Sequence, residues 1–344
     1  MSAATSCSRS SESAGECLPG TATAETHTWL LVEDCGVWGK RVPQELSPTW
    51  TRPVAERVSA LLNAHTGARL QLIRRGAAGR GRGLQVFVAQ VRGAGGAGPR
   101  DGEGPCALSD SKPLLVSRTV QSLMELDTLD LAHPEVWGEV DKAPVYLVCT
   151  HGRRDACCAR KGVPLYRAVE ALVGDRAWQT SHLGGHRFAP VLLTLPHGYM
   201  YGRIEVAECQ ELVQATDAGR VGIGTGVESR VRGRVDLSAV QQAAECFLRD
   251  ALAENSFGAL EPAGVEARRP VVVGVPGHGT RAGGVPPCGG QVAAQRWISF
   301  WKVGARRYEV ETERVPGALP VLKSCGDETG SLIGTMRLLG WREV

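Results

Sequence analysis

Residues 145–174 read VYLVCTHGRRDACCARKGVPLYRAVEALVG, and residues 181–204 read SHLGGHRFAPVLLTLPHGYMYGRI. Val145 to Val148 is a short apolar run with β-branched and aromatic side chains, bounded by Pro144 and by a polar turn from Cys149. It predicts a buried strand. Gly162 interrupts the chain, and Pro164 suits a first helical position, where its missing N–H is harmless. Leu165, Ala168, Val169 and Leu172 then recur at helical spacing, predicting a helix to about Val173. Pro190, the run Val191 to Leu195, the turn Pro196-His197-Gly198 and the run Tyr199 to Ile204 predict an antiparallel hairpin.

The same stretch carries a candidate metal site. Cys149 and Cys158 are separated by eight residues, and His182 and His186 by three. Cys149 ends the strand and Cys158 ends the loop it feeds, so both can face one concavity. Gly184 and Gly185 let the backbone between the histidines fold closely round a bulky inorganic group. Two metals compete for this set. Tetrahedral zinc accepts two cysteines and two histidines, but structural zinc sites usually place paired cysteines about two to four residues apart. A pair of sulfide-bridged irons spreads its ligands wider, with cysteines on one iron and histidines on the other, as in Rieske centres.

Strand, site-bearing loop, helix, then X-Pro-strand-turn-strand is the order of a thioredoxin-like unit, in which the proline before the third strand is usually cis. Ala189–Pro190 is the candidate, since a cis bond to proline costs little more than trans. Cys149-Thr-His-Gly-Arg-Arg-Asp-Ala-Cys-Cys158, together with Ser-His182-Leu-Gly-Gly-His186-Arg-Phe-Ala-Pro190, resembles the sucrase/ferredoxin-like family. Trp29-Leu-Leu-Val-Glu33 and Trp38-Gly39 resemble that family's N-terminal signature, so the resemblance begins near residue 20 and is strongest from Tyr146 to Arg203. It implies a thioredoxin-like ferredoxin whose [2Fe–2S] cluster is ligated by Cys149, Cys158, His182 and His186. A one-residue shift would exchange Cys157 for Cys158; Cys157 otherwise reads as a small buried hydrophobe. His151 reads as a polar loop residue and His197 as a solvent-facing turn residue. Arg153, Arg154, Arg160, Lys161 and Arg187 surround the motif as solvated charges able to steer an acidic partner, and Arg154 can pair with Asp155 to brace the loop.

The 344 residues exceed one typical domain, and 43% apolar residues suffice for ordinary cores. A net charge of +3 and 5% aromatics give no support for nucleic acid or an anionic membrane as partner. No apolar run spans a membrane. The N-terminus lacks the charged start and apolar core of a secretory signal, so the eleven cysteines read as cytoplasmic thiols or metal ligands rather than a disulfide framework. The expected layout is α/β. A Ser/Thr/Ala/Gly-rich disordered tail (1–25) precedes an N-terminal α/β domain (26–142), itself open to reading as a thioredoxin-like relic without ligands. The thioredoxin-like [2Fe–2S] domain (143–255) and a small β-rich C-terminal segment (256–344) follow.

In the first domain, strands are expected at Thr28–Val32, Arg69–Ile73 and Leu84–Val91, the last two joined as a hairpin through a Gly/Arg tip. A helix is expected from Arg52 to Leu62 and another through Val120, Leu123 and Leu126. Asp236 is expected to cap a helix from Leu237 to Leu252. Gly277-His-Gly-Thr-Arg-Ala282 has the form of a dinucleotide fingerprint, but Gly283-Gly-Val-Pro-Pro287 forbids the helix that it needs. Cys7 and Cys17 fall in the tail and are poor ligand candidates; Cys288 and Cys325 could make a second site, but they lack paired spacing and read as free thiols.

Three functions fit. An electron carrier with one [2Fe–2S] cluster, exchanging electrons with a reductase and an acceptor protein, needs no catalytic acid or base; titration of its histidines would couple a proton to reduction. A thiol–disulfide oxidoreductase would want Cys-x-x-Cys at the strand-to-helix turn, whereas Cys157 and Cys158 are vicinal. A structural zinc module for protein interaction is the third. Glycoside hydrolysis would need two carboxylates flanking a sugar site, for which Asp155 and Glu170 offer no setting.

Overall fold

The computed structural model describes residues 6–42, 45, 50–76, 83–91, 112–222, 229–274, 291–317 and 319–344. The Gly277–Ala282 motif and Cys288 lie outside them. The first half contains β1 (Thr28–Glu33), α2 (Arg52–Ala64), β2 (Ala68–Arg74), β3 (Leu84–Gln90), β4 (Leu114–Val120) and the short β5 (Glu139–Val140), preceded by α1 (Cys7–Ser13). The second contains β6 (Val145–Cys149), α3 (Ala156–Val173), β7 (Ala177–Thr180), β8 (Val191–Leu195), β9 (Tyr199–Gly202), α4 (Cys209–Asp217), β10 (Val231–Arg234) and α5 (Ala239–Leu252).

All ten strands form one sheet, ordered β10-β9-β8-β6-β7-β2-β1-β3-β4-β5. In the second half β6 pairs parallel with β7 and antiparallel with β8, and β8 pairs antiparallel with β9. This is the thioredoxin-like order expected from the motif stretch, and the Ala189–Pro190 bond is cis. The first half repeats it: β1 is parallel to β2 and antiparallel to β3, and β3 is antiparallel to β4. The N-terminal half is therefore a second thioredoxin-like unit, joined to the first edge to edge through the antiparallel pair β2–β7. That arrangement corrects the expected β2–β3 hairpin. Both strands flank β1 because Leu30 and Val32, which share its buried face with Leu70, Leu72, Val86 and Val88, must be covered by α2.

The helix after β6 starts earlier than its apolar periodicity indicates. It runs from Ala156, so Cys157 and Cys158 occupy its first turn and Pro164 its interior. Asp155 sets the start by accepting the Cys157 N–H at 2.9 Å, a side-chain cap that satisfies an orphan donor. Gly162 lets the helix close on the sheet, because a Cβ there would lie 2.1 Å from the Cys149 carbonyl oxygen. Elsewhere, Leu123–Thr128 is a 3₁₀ helix rather than an α-helix. Ser238, not Asp236, caps α5; Asp236 instead pairs with the buried Arg234 at 2.8 Å. His197 is half-buried rather than solvent-facing: it stacks on Phe257 at 4.0 Å, and burial pushes its pKa down to about 4.

Within the tail expected at residues 1–25, residues 6–25 are ordered. Its serines are small enough to pack closely, and Ser8 and Ser11 are fully buried. Glu16 holds it by a bidentate pair with Arg187, closest at 2.7 Å, while Arg203 donates to the Glu16 carbonyl and the Ser11 hydroxyl.

The C-terminal part is β-rich as expected. β11 (Leu260–Gly274), β12 (Gln291–Val303), β13 (Arg306–Val315) and β16 (Thr335–Glu343) form an antiparallel sheet, and β14 (Pro320–Val321) and β15 (Ser331–Leu332) a small ribbon. Leu260, Trp301, Tyr308 and Val310 of the sheet pack on Leu248 of α5. No helix among the described residues is long and apolar enough to cross a membrane.

Gly162→Ala is expected to lower the urea midpoint substantially, by about 1–3 kcal/mol of overpacking. Gly340→Ala, where an added Cβ meets nothing within 4 Å, should be close to neutral. Equal midpoints for the two variants would contradict the close approach of α3 to β6.

Candidate metal centre

β6 delivers Cys149 at its last residue, and the first turn of α3 delivers Cys158. Both are buried, at 2% and 1% exposure. The loop after β7 brings His182 over them, with its Nδ1 at 3.9 Å from the Cys149 sulfur and 3.8 Å from the Cys158 sulfur. Cys158 rather than Cys157 thus shares this cavity; Cys157, one helical step round, faces away from it. The His186 ring lies 5.1 Å from the His182 ring, centroid to centroid, at 31°. Cys149, Cys158 and His182 are brought together as donors, and His186 stands beside them through its ring contact with His182.

The tautomer of His186 follows from its partners. Its Nε2 bonds the Lys323 carbonyl, so Nε2 carries the hydrogen and Nδ1 keeps its lone pair. That Nδ1 is buried without a partner. A buried acceptor left unpaired is costly, and a histidine with one nitrogen on a carbonyl and the other free has the disposition of a metal ligand. His186 is held below its ordinary pKa by burial, with Asp155 acting against that shift. The Cys149 thiol is pushed well below its ordinary value by hydrogen bonds from Cys158 and His182, against its burial. Cys158 is raised, by its hydrogen bond to Cys149 and by burial.

Several residues that fix this geometry carry no motif. His151, read as a polar loop residue, is buried at 4% exposure and edge-on to Trp38. Its Nδ1 accepts the His182 N–H at 3.2 Å, and burial lowers its pKa. The first half reaches the histidine loop through β2. Arg69 donates to the His182 carbonyl at 3.0 Å, and the Ser181 N–H donates to the Leu72 carbonyl at 2.8 Å. Burial lowers the Arg69 pKa to about 10, while the neighbouring Cys149 opposes that shift. Arg232 is 1% exposed; it donates to the Gly184 carbonyl at 2.9 Å and to the Thr21 carbonyl. Gly185 has φ +70°, and a Cβ on it would lie 2.3 Å from the Arg232 guanidinium.

The charges round the motif are less free than the sequence indicates. Arg187 is consumed by Glu16, and Lys161 pairs with Glu12 at 2.6 Å. Asp155 takes its hydrogen bonds from the Cys157 and Cys325 N–H groups and the Ser324 hydroxyl, not from Arg154. The C-terminal loop at Lys323–Cys325 accordingly lies over His186.

The sucrase/ferredoxin-like family model matches residues 21–233. The chain belongs to that family. Its matched region covers both halves of the ten-stranded sheet and stops before the C-terminal β-sheet. No curated protein matches the chain. A solved thioredoxin-like [2Fe–2S] ferredoxin from Aquifex aeolicus is similar at 18% identity over 27% of this chain and 94% of its own, with a TM-score of 0.23. A score that low carries no argument, and the fold rests on the strand order.

Gly185→Ala should destabilise the chain well beyond Gly219→Ala. Gly219 has φ +73° but nothing within 4 Å of an added Cβ, so it carries only the left-handed backbone cost of about 1–2 kcal/mol. Equal losses in urea unfolding would mean that Arg232 does not brace the histidine loop.

Proposed function

We propose that the chain is a one-electron carrier holding a [2Fe–2S] cluster on Cys149, Cys158, His182 and His186. The observation that supports this most is the His186 Nδ1, buried and unpartnered beside a compact trio of Cys149, Cys158 and His182 donors. The residues fit the group: two soft sulfurs on one side and two imidazoles on a glycine-jointed loop on the other. When bound, such a cluster supplies reversible one-electron chemistry, at a potential raised by neutral imidazole ligands.

The chain's own residues prepare and isolate the site. Trp29, Leu183, Phe188 and Trp178 pack in one core with Cys149 and Cys158, excluding water from the sulfur side. The positive N-terminal end of α3 and Arg69 favour the thiolate forms needed for ligation. His151, Arg69 and Arg232 hold the histidine loop in place. The Lys323 carbonyl orients the His186 ring by accepting its Nε2–H. The outer imidazole nitrogens are where a proton can be held or released. If His182 and His186 took up a proton at those nitrogens on reduction, the potential would fall with rising pH over about pH 6–9.

A single zinc is the second reading. The trio's ligand atoms lie within 4.8 Å of one another, a separation compatible with one ion. His186 stands outside that trio, which supports the wider cluster. The vicinal Cys157-Cys158 pair lacks the spacing for dithiol exchange.

Two measurements test the reading. His186→Cys should keep two irons and two sulfides while lowering the reduction potential, because thiolate replaces imidazole; an unchanged potential would exclude His186 as a ligand. In the native chain, a potential flat across about pH 6–9 would exclude proton coupling at the histidines.

A further inference from the structure

A second group of ligating side chains sits on the other side of the α3 N-terminus. Cys7, Asp155, Cys157 and Cys325 offer four ligand atoms within 4.8 Å of one another. The sulfurs form a near-equilateral triangle, with Cys7–Cys157 at 3.5 Å, Cys7–Cys325 at 3.5 Å and Cys157–Cys325 at 3.2 Å. Asp155 Oδ1 is 3.6 Å from the Cys7 sulfur. These residues are 150 and 168 positions apart along the chain, so no local turn gathers them. Three separate segments converge here.

The separations discriminate between chemistries. Each is far longer than an S–S bond of about 2.05 Å. The two 3.5 Å edges are close to the edge of about 3.8 Å that Zn–S bonds of about 2.3 Å impose on a tetrahedron, and the 3.2 Å edge would open by about 0.6 Å on metal entry. Three thiols also cannot all pair as disulfides, since one is always left over. Cys7, Asp155 and Cys157 are 0%, 4% and 1% exposed, whereas Cys325 is exposed and gives an ion a route in.

Asp155 is already oriented as a ligand. It receives the Cys157 and Cys325 N–H groups at 2.9 and 2.8 Å and the Ser324 hydroxyl at 3.0 Å. Such outer hydrogen bonds hold a metal-ligating carboxylate in place. The Ser8 hydroxyl lies 3.4 Å from the Cys157 sulfur. The α3 N-terminus directs its dipole at Cys157.

We infer that Cys7, Cys157, Cys325 and Asp155 form a second metal site, a tetrahedral three-thiolate, one-carboxylate centre for Zn²⁺. Thiolate softness selects zinc over magnesium or calcium. Metal entry replaces the S–H bond of each protonated thiol by a metal–sulfur bond and releases one proton per such thiol to solvent, with no change of oxidation state. The bound ion clamps the α1 segment and the Ser324–Cys325 loop to the first turn of α3. This inference stands independently of the cluster reading, because no ligand is shared.

The test is metal analysis of the full chain purified from zinc-supplemented medium, with iron and sulfide measured on the same samples to read the first site separately. The native chain should carry about one zinc. Cys7→Ser/Cys325→Ser should lose it, and His182→Ala/His186→Ala should keep it. A cobalt titration of the metal-stripped native chain, which needs no variant, should give intense thiolate-to-cobalt bands that Cys7→Ser/Cys325→Ser abolishes. Zinc or cobalt bands that survive in Cys7→Ser/Cys325→Ser but vanish in the histidine variant would place the metal at the first site and overturn the inference. So would a native chain that takes up no zinc or cobalt, whether its thiols alkylate freely or two of them form a disulfide.

Discussion

The Asp155 carboxylate is the contact on which the rest of the site depends. One oxygen starts α3 by capping Cys157, and so fixes the rotation of the first turn that directs Cys158 and Cys157 to opposite sides. The other oxygen receives the C-terminal loop through Ser324 and Cys325. It also stands 3.8 Å from the His186 Nε2. Its side chain is fully buried, so it is screened little by solvent or salt. Loss of this one carboxylate would disturb the cap, the loop and the histidine environment together, and no other residue in the motif links all three.

The two halves of the sheet divide the work. Both have the same strand order, but the proposed cluster residues Cys149, Cys158, His182 and His186 all lie in the second. In the first, β1 ends at Glu33, whose carboxylate accepts the Gln85 N–H at 2.9 Å and serves the sheet. The first half still shapes the site, since β2 pairs with β7 just where the histidine loop begins, and Arg69 and Leu72 hold Ser181 and His182. Edge-to-edge pairing thus lets the first unit act as a rigid wall beside the histidine loop. The family match across residues 21–233 agrees with treating the two units as one structure.

What the sequence reveals follows the range of the interactions. β6, the β8–β9 hairpin and α2 arise from local periodicity and were legible, whereas the pairing of Cys149 and Cys158 with His182 and His186 rested on the family resemblance of the two motifs. The α3 start was not, because apolar periodicity is silent about a helix turn made of Asp155-Ala-Cys-Cys158 and governed by a cap. The order of the Ser-rich N-terminus was missed for a related reason. Its composition is that of a solvated linker, and only the distant Arg187 and Arg203 make Glu16 and Ser11 buried partners. The Cys7–Cys157–Cys325 triangle has no spacing signal, since its members meet only after the whole chain has folded. Arg232 and His151 act through backbone groups, which no motif records.

The most direct measurement is an anaerobic purification in which iron, acid-labile sulfide and zinc are quantified beside the visible spectrum and the low-temperature EPR of the dithionite-reduced chain. Mixed ligation by Cys149, Cys158, His182 and His186 predicts about two irons and two sulfides per chain, with an average g below that of an all-cysteine cluster. A colourless protein holding zinc at Cys149 and His182, with no sulfide, would contradict it and leave the thioredoxin-like sheet as a frame for a structural metal.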